Sequence, residues 1–230
     1  MSNGKLLLFD VDGTLIKSGD PTHFGAYTAA MDKVMGIKAE IPVEFTAGYT
    51  DRRTLVAFLD GHGFGRGEVE SHLDELFEEM RNYYVENAPE DMSDQIIVGV
   101  KPLLSKLKDA GFVLGVISGG VGDLVWAKLD RSGLKKFFAV GAFGDAVEDR
   151  AKLVELAVEQ AEKLAGHVFS SEDVIVVGDT PRDIACARDN GVRVVAVATG
   201  PYTQEELRQY NPDVLMRDLS NTEDFLQAVQ

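Results

Sequence analysis

The sequence predicts an α/β protein in which a doubly wound parallel sheet is interrupted by an inserted, all-helical segment. Three observations predict it. From Leu103 onward, short runs rich in Val and Ile alternate with helix-like segments in the manner of successive βαβ units. Between residue 16 and about residue 93 that alternation stops, and the apolar residues keep helical spacing instead. The length, 230 residues, allows one large domain or a core with a modest inserted one.

The first strand is expected near residues 5–10, because Leu6-Leu7-Leu8-Phe9 is a short apolar run that enters a tight turn at Gly13. The insert begins through Ile16-Lys17-Ser18-Gly19-Asp20. Its clearest element carries Val69, Leu73, Leu76, Phe77, Met80 and Tyr84 as one stripe, with Glu70, Asp74, Glu75, Glu78 and Glu79 on the other face, the pattern of a helix in a small bundle. The glycines of Gly61-His62-Gly63-Phe64-Gly65-Arg66-Gly67 follow a helix-like run and read as a loop. The insert leaves through residues 93–101, after which Pro102 sits in the first turn of a helix ending near Gly111. Gly133, Gly166 and Gly191 stand where helix ends call for a left-handed residue. Further strands fall near 112–118, 137–143, 173–178, 193–198 and 213–216, and their continuous apolar runs suit parallel strands covered on both faces. The expected organisation is therefore a core of residues 1–15 and 94–230 with an insert of 16–93.

Composition narrows the function. With 23 Lys and Arg against 38 Asp and Glu the net charge is −15, which disfavours nucleic acid and anionic membranes as partners. The lone Cys186 excludes an intramolecular disulfide and fits a reducing, cytoplasmic compartment; its apolar neighbours suggest a small buried thiol. No apolar N-terminal segment of the secretory kind and no run of eighteen apolar residues is present, so neither a signal peptide nor a membrane span is expected. The four histidines lack metal-ligand spacing, which argues against zinc.

Two acidic clusters carry the chemistry. In Asp10-Val11-Asp12-Gly13-Thr14-Leu15 the carboxylates at i and i+2 point the same way from the end of a strand. Like charges so placed are costly without a cation or proton between them, so a Mg²⁺ site with one carboxylate free for chemistry is the economical reading. Taken alone, the same residues also read as a solvated turn. The second cluster, Gly178-Asp179-Thr180-Pro181-Arg182-Asp183, again follows a strand-like run, Val174-Ile175-Val176-Val177. Ser118 ends a third. In an open parallel sheet such strand ends share one crevice, so the three can converge.

In this order the three elements resemble the haloacid dehalogenase superfamily, specifically its phosphatases of the phosphoglycolate phosphatase type, over nearly the whole chain. The resemblance implies a Rossmann-like catalytic core, a helical cap at 16–93, and Mg²⁺-dependent hydrolysis of a small phosphorylated metabolite through an aspartyl-phosphate. It casts Asp10 as nucleophile and metal ligand, Asp12 as general acid and base with its backbone carbonyl on the metal, Asp179 as a further ligand and Asp183 behind them. Thr14, Ser118 and Gly119 are then expected to bind the substrate, although Ser118 also reads as a cap for a helix starting near Val121. Gly119 follows that hydroxyl where relatives often have Asn. Gly48-Tyr49-Thr50-Asp51-Arg52-Arg53 resembles the substrate-facing loop of helical caps, with Arg52 or Arg53 positioned for an anionic group. Relatives carry Lys-Pro ahead of the second cluster; this chain does not, and Arg150 and Lys152 are the candidates for the catalytic cation, Arg150 favoured for its forked guanidinium. A sugar phosphomutase and a phospho-accepting regulatory module are the alternatives; a C–halogen hydrolase is disfavoured, because its leaving group needs no proton from Asp12. Phosphoglycolate is the substrate that overall resemblance would name.

Overall fold

The computed structural model describes residues 4–42 and 45–230. Residues 1–3 of the expected core and 43–44 of the expected cap lie outside the described residues. Six strands form one parallel sheet in the order β3-β2-β1-β4-β5-β6: β1 (Leu6–Phe9), β2 (Val113–Ser118), β3 (Val140–Phe143), β4 (Val174–Gly178), β5 (Arg193–Val197) and β6 (Val214–Met216). Crossing from β1 outward in both directions makes the sheet doubly wound, and the order reverses beside β1. The register pairs Phe9 with Val116 on one side and with Val177 on the other, so β1, β2 and β4 end at nearly the same level. The apolar runs split by face: Leu7, Phe9, Val116 and Val177 enter one core cluster, Leu6, Leu8, Ile117 and Val176 the other.

Helices α5 (Val100–Asp109), α6 (Gly122–Arg131), α7 (Ala151–Ala165), α8 (Pro181–Asp189), α9 (Gln204–Arg208) and α10 (Thr222–Val229) follow the strands or precede them. Gly111, Gly133, Gly166 and Gly191 all adopt positive φ, as expected at helix ends. The third strand is shorter than the sequence suggested. Residues 135–137 form a 3₁₀ turn, held by Phe137 N–H to Leu134 and Phe138 N–H to Lys135, which leaves Val140 as the first paired residue.

The helices of the insert, α1 (Pro21–Ala30, continued by a π turn over Met31–Met35), α2 (Asp51–Gly61), α3 (Arg66–Ser71) and α4 (Leu73–Asn87), share a third apolar cluster. The predicted stripe is buried throughout, but the helix breaks at His72, so Val69 belongs to α3 and the remaining five residues to α4. The glycine-rich stretch is only partly loop: Gly61 closes α2 and Gly67 lies inside α3. Val121 and Leu124 of the core join this third cluster, so the helical layer is seated on the start of α6.

Candidate active site

Asp10 is the first residue past β1, and its amide still donates to Val177 O at 2.8 Å, which carries the ladder one residue further and fixes the carboxylate at the sheet's edge. Asp179 is the first residue past β4, and Ser118 is the last of β2. Asp183 lies on α8, where it and Thr180 form a reciprocal capping box. Oxygens of Asp10, Asp179 and Asp183 lie within 4.8 Å of one another, and all three residues are buried.

One cation serves this triad. Arg150, capping α7, places Nη2 at 2.6 Å from Asp10 Oδ1 and 2.7 Å from Asp183 Oδ1. The other oxygen of Asp183 accepts from the Thr180 amide at 3.0 Å and hydroxyl at 2.6 Å. Thr14 donates to Asp179 Oδ1 at 2.8 Å, whereas Asp179 Oδ2 is buried without a hydrogen-bond partner. Three carboxylates against one guanidinium leave an excess of negative charge. Burial, then Asp183, pushes the Asp10 carboxyl up to about 7 against the pull of Arg150. Burial and the charge of Asp10 also raise Asp179 well above its ordinary value.

A divalent cation fits these residues. The donors are hard oxygens of the kind Mg²⁺ takes, one buried carboxylate oxygen of Asp179 has no hydrogen-bond partner, and the charge excess matches the ion. Gly13 and Gly200 keep the space around Asp179: a Cβ would lie 2.3 Å from Asp179 Oδ2 at Gly13 and 1.7 Å at Gly200.

A cavity of about 300 Å³ opens over this cluster, walled by core residues such as Asp12 and Ser118 and by insert residues such as His23 and Tyr49. Beside Asp12 lies a second polar group that sequence reasoning missed. Lys128 of α6 is fully buried, with Nζ 2.8 Å from Asp12 Oδ1, 3.4 Å from Asp20 Oδ2 and 3.3 Å from His23 Nδ1. An ammonium only donates, so His23 Nδ1 accepts, and His23 is the neutral tautomer with its proton on Nε2. That proton faces Asp51 Oδ2 at 3.1 Å; Asp51 also accepts from the Tyr27 hydroxyl and from Val121 N–H. Burial opposes the charge on Lys128, but Asp12 and Asp20 outweigh it and raise its pKa. Asp20 resists burial likewise: Lys128 and the Tyr84 hydroxyl hold its carboxyl below the ordinary value.

The structure separates the sequence candidates. Asp10, Asp12, Ser118, Gly119, Arg150 and Asp179 all line the cavity. Gly119 lies so close to the insert that a Cβ would sit 2.0 Å from Tyr49 O. Lys152 does not reach the cavity; it is exposed and pairs with Glu155, because two positions along a helix turn a side chain about 200° away from Arg150. Thr14 is no cavity residue either, since its buried hydroxyl is committed to Asp179. Arg52 donates to Asp145 O and Arg53 lies over the Tyr49 ring, and neither lines the cavity. Ser118 does not cap α6: its hydroxyl accepts from Gly120, while the carboxylates of Asp51 and Asp145 take the amides of Val121 and Gly122. The signal for Lys128 was present, since it continues the buried 121, 124, 125 stripe of α6. Cys186 is buried, with its thiol pushed up to about 12, first by burial, as expected of an inert core residue.

A doubly wound sheet with acidic clusters at the ends of its two central strands is the arrangement that the resemblance to the haloacid dehalogenase superfamily implies. Residues 7–197 match the model of the haloacid dehalogenase-like hydrolase family, and the chain belongs to that family as an enzyme of its phosphatase class. It is 27% identical to a phosphoglycolate phosphatase of Agrobacterium fabrum over 222 residues, covering 94% of this chain and 89% of the relative. It is 28% identical to the pyrophosphatase PpaX of Listeria innocua, covering 94% and 93%. Among solved structures it superimposes with a TM-score of 0.73 on β-phosphoglucomutase of Clostridium difficile, at 18% identity and with 98% and 96% of the two chains covered.

Proposed function

We propose that this chain is a Mg²⁺-dependent phosphomonoesterase acting on a small metabolite through an aspartyl-phosphate on Asp10. The observation that carries the reading is the Asp10 carboxylate on the cavity floor, gripped by Arg150 at 2.6 Å and flanked by Asp179 with its unpartnered oxygen. When bound by Asp10 and Asp179, Mg²⁺ supplies the charge neutralisation that phosphoryl transfer requires.

Arg150 keeps one oxygen of Asp10 fixed, which leaves the other to attack phosphorus. As the new P–O bond forms, the bond to the leaving oxygen breaks, and Asp12 gives that oxygen its proton. Water then attacks phosphorus, Asp12 takes its proton, and the Asp10–phosphorus bond breaks to release inorganic phosphate. Lys128 fixes the direction of the Asp12 carboxylate. The helical layer narrows solvent access through Tyr49 and His23, as a cap over a hydrolytic site does.

The test is phosphate release from a panel of phosphomonoesters with Mg²⁺ and with EDTA, together with acid trapping of the phosphoenzyme. Turnover is expected only with the metal, and Asp10→Asn should lose both turnover and the hydroxylamine-labile phosphoenzyme. Phosphoenzyme surviving in Asp10→Asn would place the nucleophile elsewhere.

A further inference from the structure

The proton donor marks where the departing alcohol must lie. Asp10 and Arg150 define the phosphoryl side, so the leaving oxygen belongs beside Asp12 and the rest of the alcohol against the groups beyond it. Those groups are Asp20, His23, Asp51 and Lys128, with Phe24, Tyr27 and Tyr49 as apolar walls.

Charge there is lopsided. Lys128 has three protons, and Asp12, Asp20 and His23 Nδ1 meet all three, so no N–H is left for a substrate anion. The same contact makes His23 neutral, and its remaining proton is committed to Asp51. Asp51 receives three donors, as an ionised carboxylate does. With Asp12 serving as the proton donor, Asp20 and Asp51 therefore stand against Lys128 alone. The two arginines of the loop do not balance them, because neither lines the cavity: Arg52 donates to Asp145 O and Arg53 lies over the Tyr49 ring. Among the described residues that line the cavity, the only other cation is Arg150, which is held by Asp10 and Asp183 on the phosphoryl side.

We infer that this enzyme selects phosphomonoesters whose alcohol is uncharged or carries an amine, and discriminates against those bearing a second anion on the leaving group. A carboxylate or a second phosphate in this chamber meets net negative charge across a partly dry space and finds no free donor cation. Hydroxyl and ammonium groups instead find Asp20 and Asp51, and a hydrocarbon stem finds the aromatic walls. The inference rests on the phosphomonoesterase reading and parts from phosphoglycolate, the substrate that resemblance alone suggests.

A matched series of similar size tests it: 2-hydroxyethyl phosphate, O-phosphoethanolamine, 2-phosphoglycolate and inorganic pyrophosphate, with p-nitrophenyl phosphate as a reference. With saturating Mg²⁺, kcat/KM for the first two should exceed that for the two anionic compounds by at least about tenfold. Equal or better rates with 2-phosphoglycolate or pyrophosphate would overturn the inference while leaving the phosphatase intact. No phosphate release from any of the five would overturn both. Asp20→Asn isolates the cause, because Asn keeps the N-cap that receives Thr22 N–H while removing one chamber charge. It should raise the 2-phosphoglycolate to 2-hydroxyethyl phosphate ratio at least about fivefold, and an unmoved ratio would refute the electrostatic origin. The wild-type series decides the selectivity independently of how well that variant folds.

Discussion

Arg150 and Lys152 are two residues apart, yet only Arg150 reaches the acidic cluster. Arg150, at the start of α7, is nearly buried between Asp10 at the end of β1 and Asp183 of α8, and its guanidinium bridges them from one nitrogen. Lys152 spends its charge on Glu155 in solvent, where an ion pair contributes little. Arg150→Ala should therefore lower kcat by about tenfold to a thousandfold, the range for loss of one charge-stabilising donor. Lys152→Ala should leave kcat unchanged. Steady-state kinetics of the two variants would show it, and the opposite pattern would return the cation to Lys152.

Two glycines show how the helices and loops around the site are constrained for different reasons. Gly133 ends α6 at φ +69° with nothing within 4 Å of where a Cβ would stand, so only the backbone conformation demands glycine. Gly133→Ala should cost about 1–2 kcal/mol of stability and no activity, read from urea unfolding beside kcat. Gly200 lies in the loop after β5, where a Cβ would fall on Asp179 Oδ2. Gly200→Ala should raise the Mg²⁺ concentration needed for half-maximal activity and depress kcat; if it behaves like Gly133→Ala, Asp179 is not held for the metal.

Across the molecule, three buried carboxylates under one arginine make the metal-free fold sensitive to pH. Folding raises the Asp10 carboxyl from 3.8 to about 7, so over that window the native state holds a proton that the unfolded chain has released. Native stability from this group is complete at low pH and is lost as pH rises through that window. Metal-free wild type should lose stability relative to Asp10→Asn as pH climbs toward 7, measured by denaturant midpoints. Saturating Mg²⁺ should abolish that difference in slope and add about 2.7 kcal/mol at a hundredfold excess over its dissociation constant. A slope indifferent to the Asp10→Asn change would argue against a charged, metal-hungry cluster.

The sheet and its acidic strand ends were legible because they are local. Leu6 to Phe9 and Val174 to Val177 announce buried parallel strands by composition, and Asp10 and Asp179 follow them immediately, so chain direction alone puts both carboxylates at one edge. The 3₁₀ turn at 135–137 and the break at His72 escaped notice, since both leave the apolar pattern uninterrupted. Which charges meet was not legible at all. Lys128 lies 116 residues from Asp12 and 105 from His23, and Arg150 lies 140 from Asp10; no short window of sequence contains any of these three pairs. The sequence by itself determined the sheet, its helical insert and the two acidic clusters, because burial pattern and turn chemistry act over neighbouring residues. Only the tertiary structure decided that Arg150 faces Asp10 while Lys152 faces water, that Thr14 serves Asp179, and that Lys128 is saturated by Asp12, Asp20 and His23, because packing sets helix rotation and side-chain direction across the whole chain.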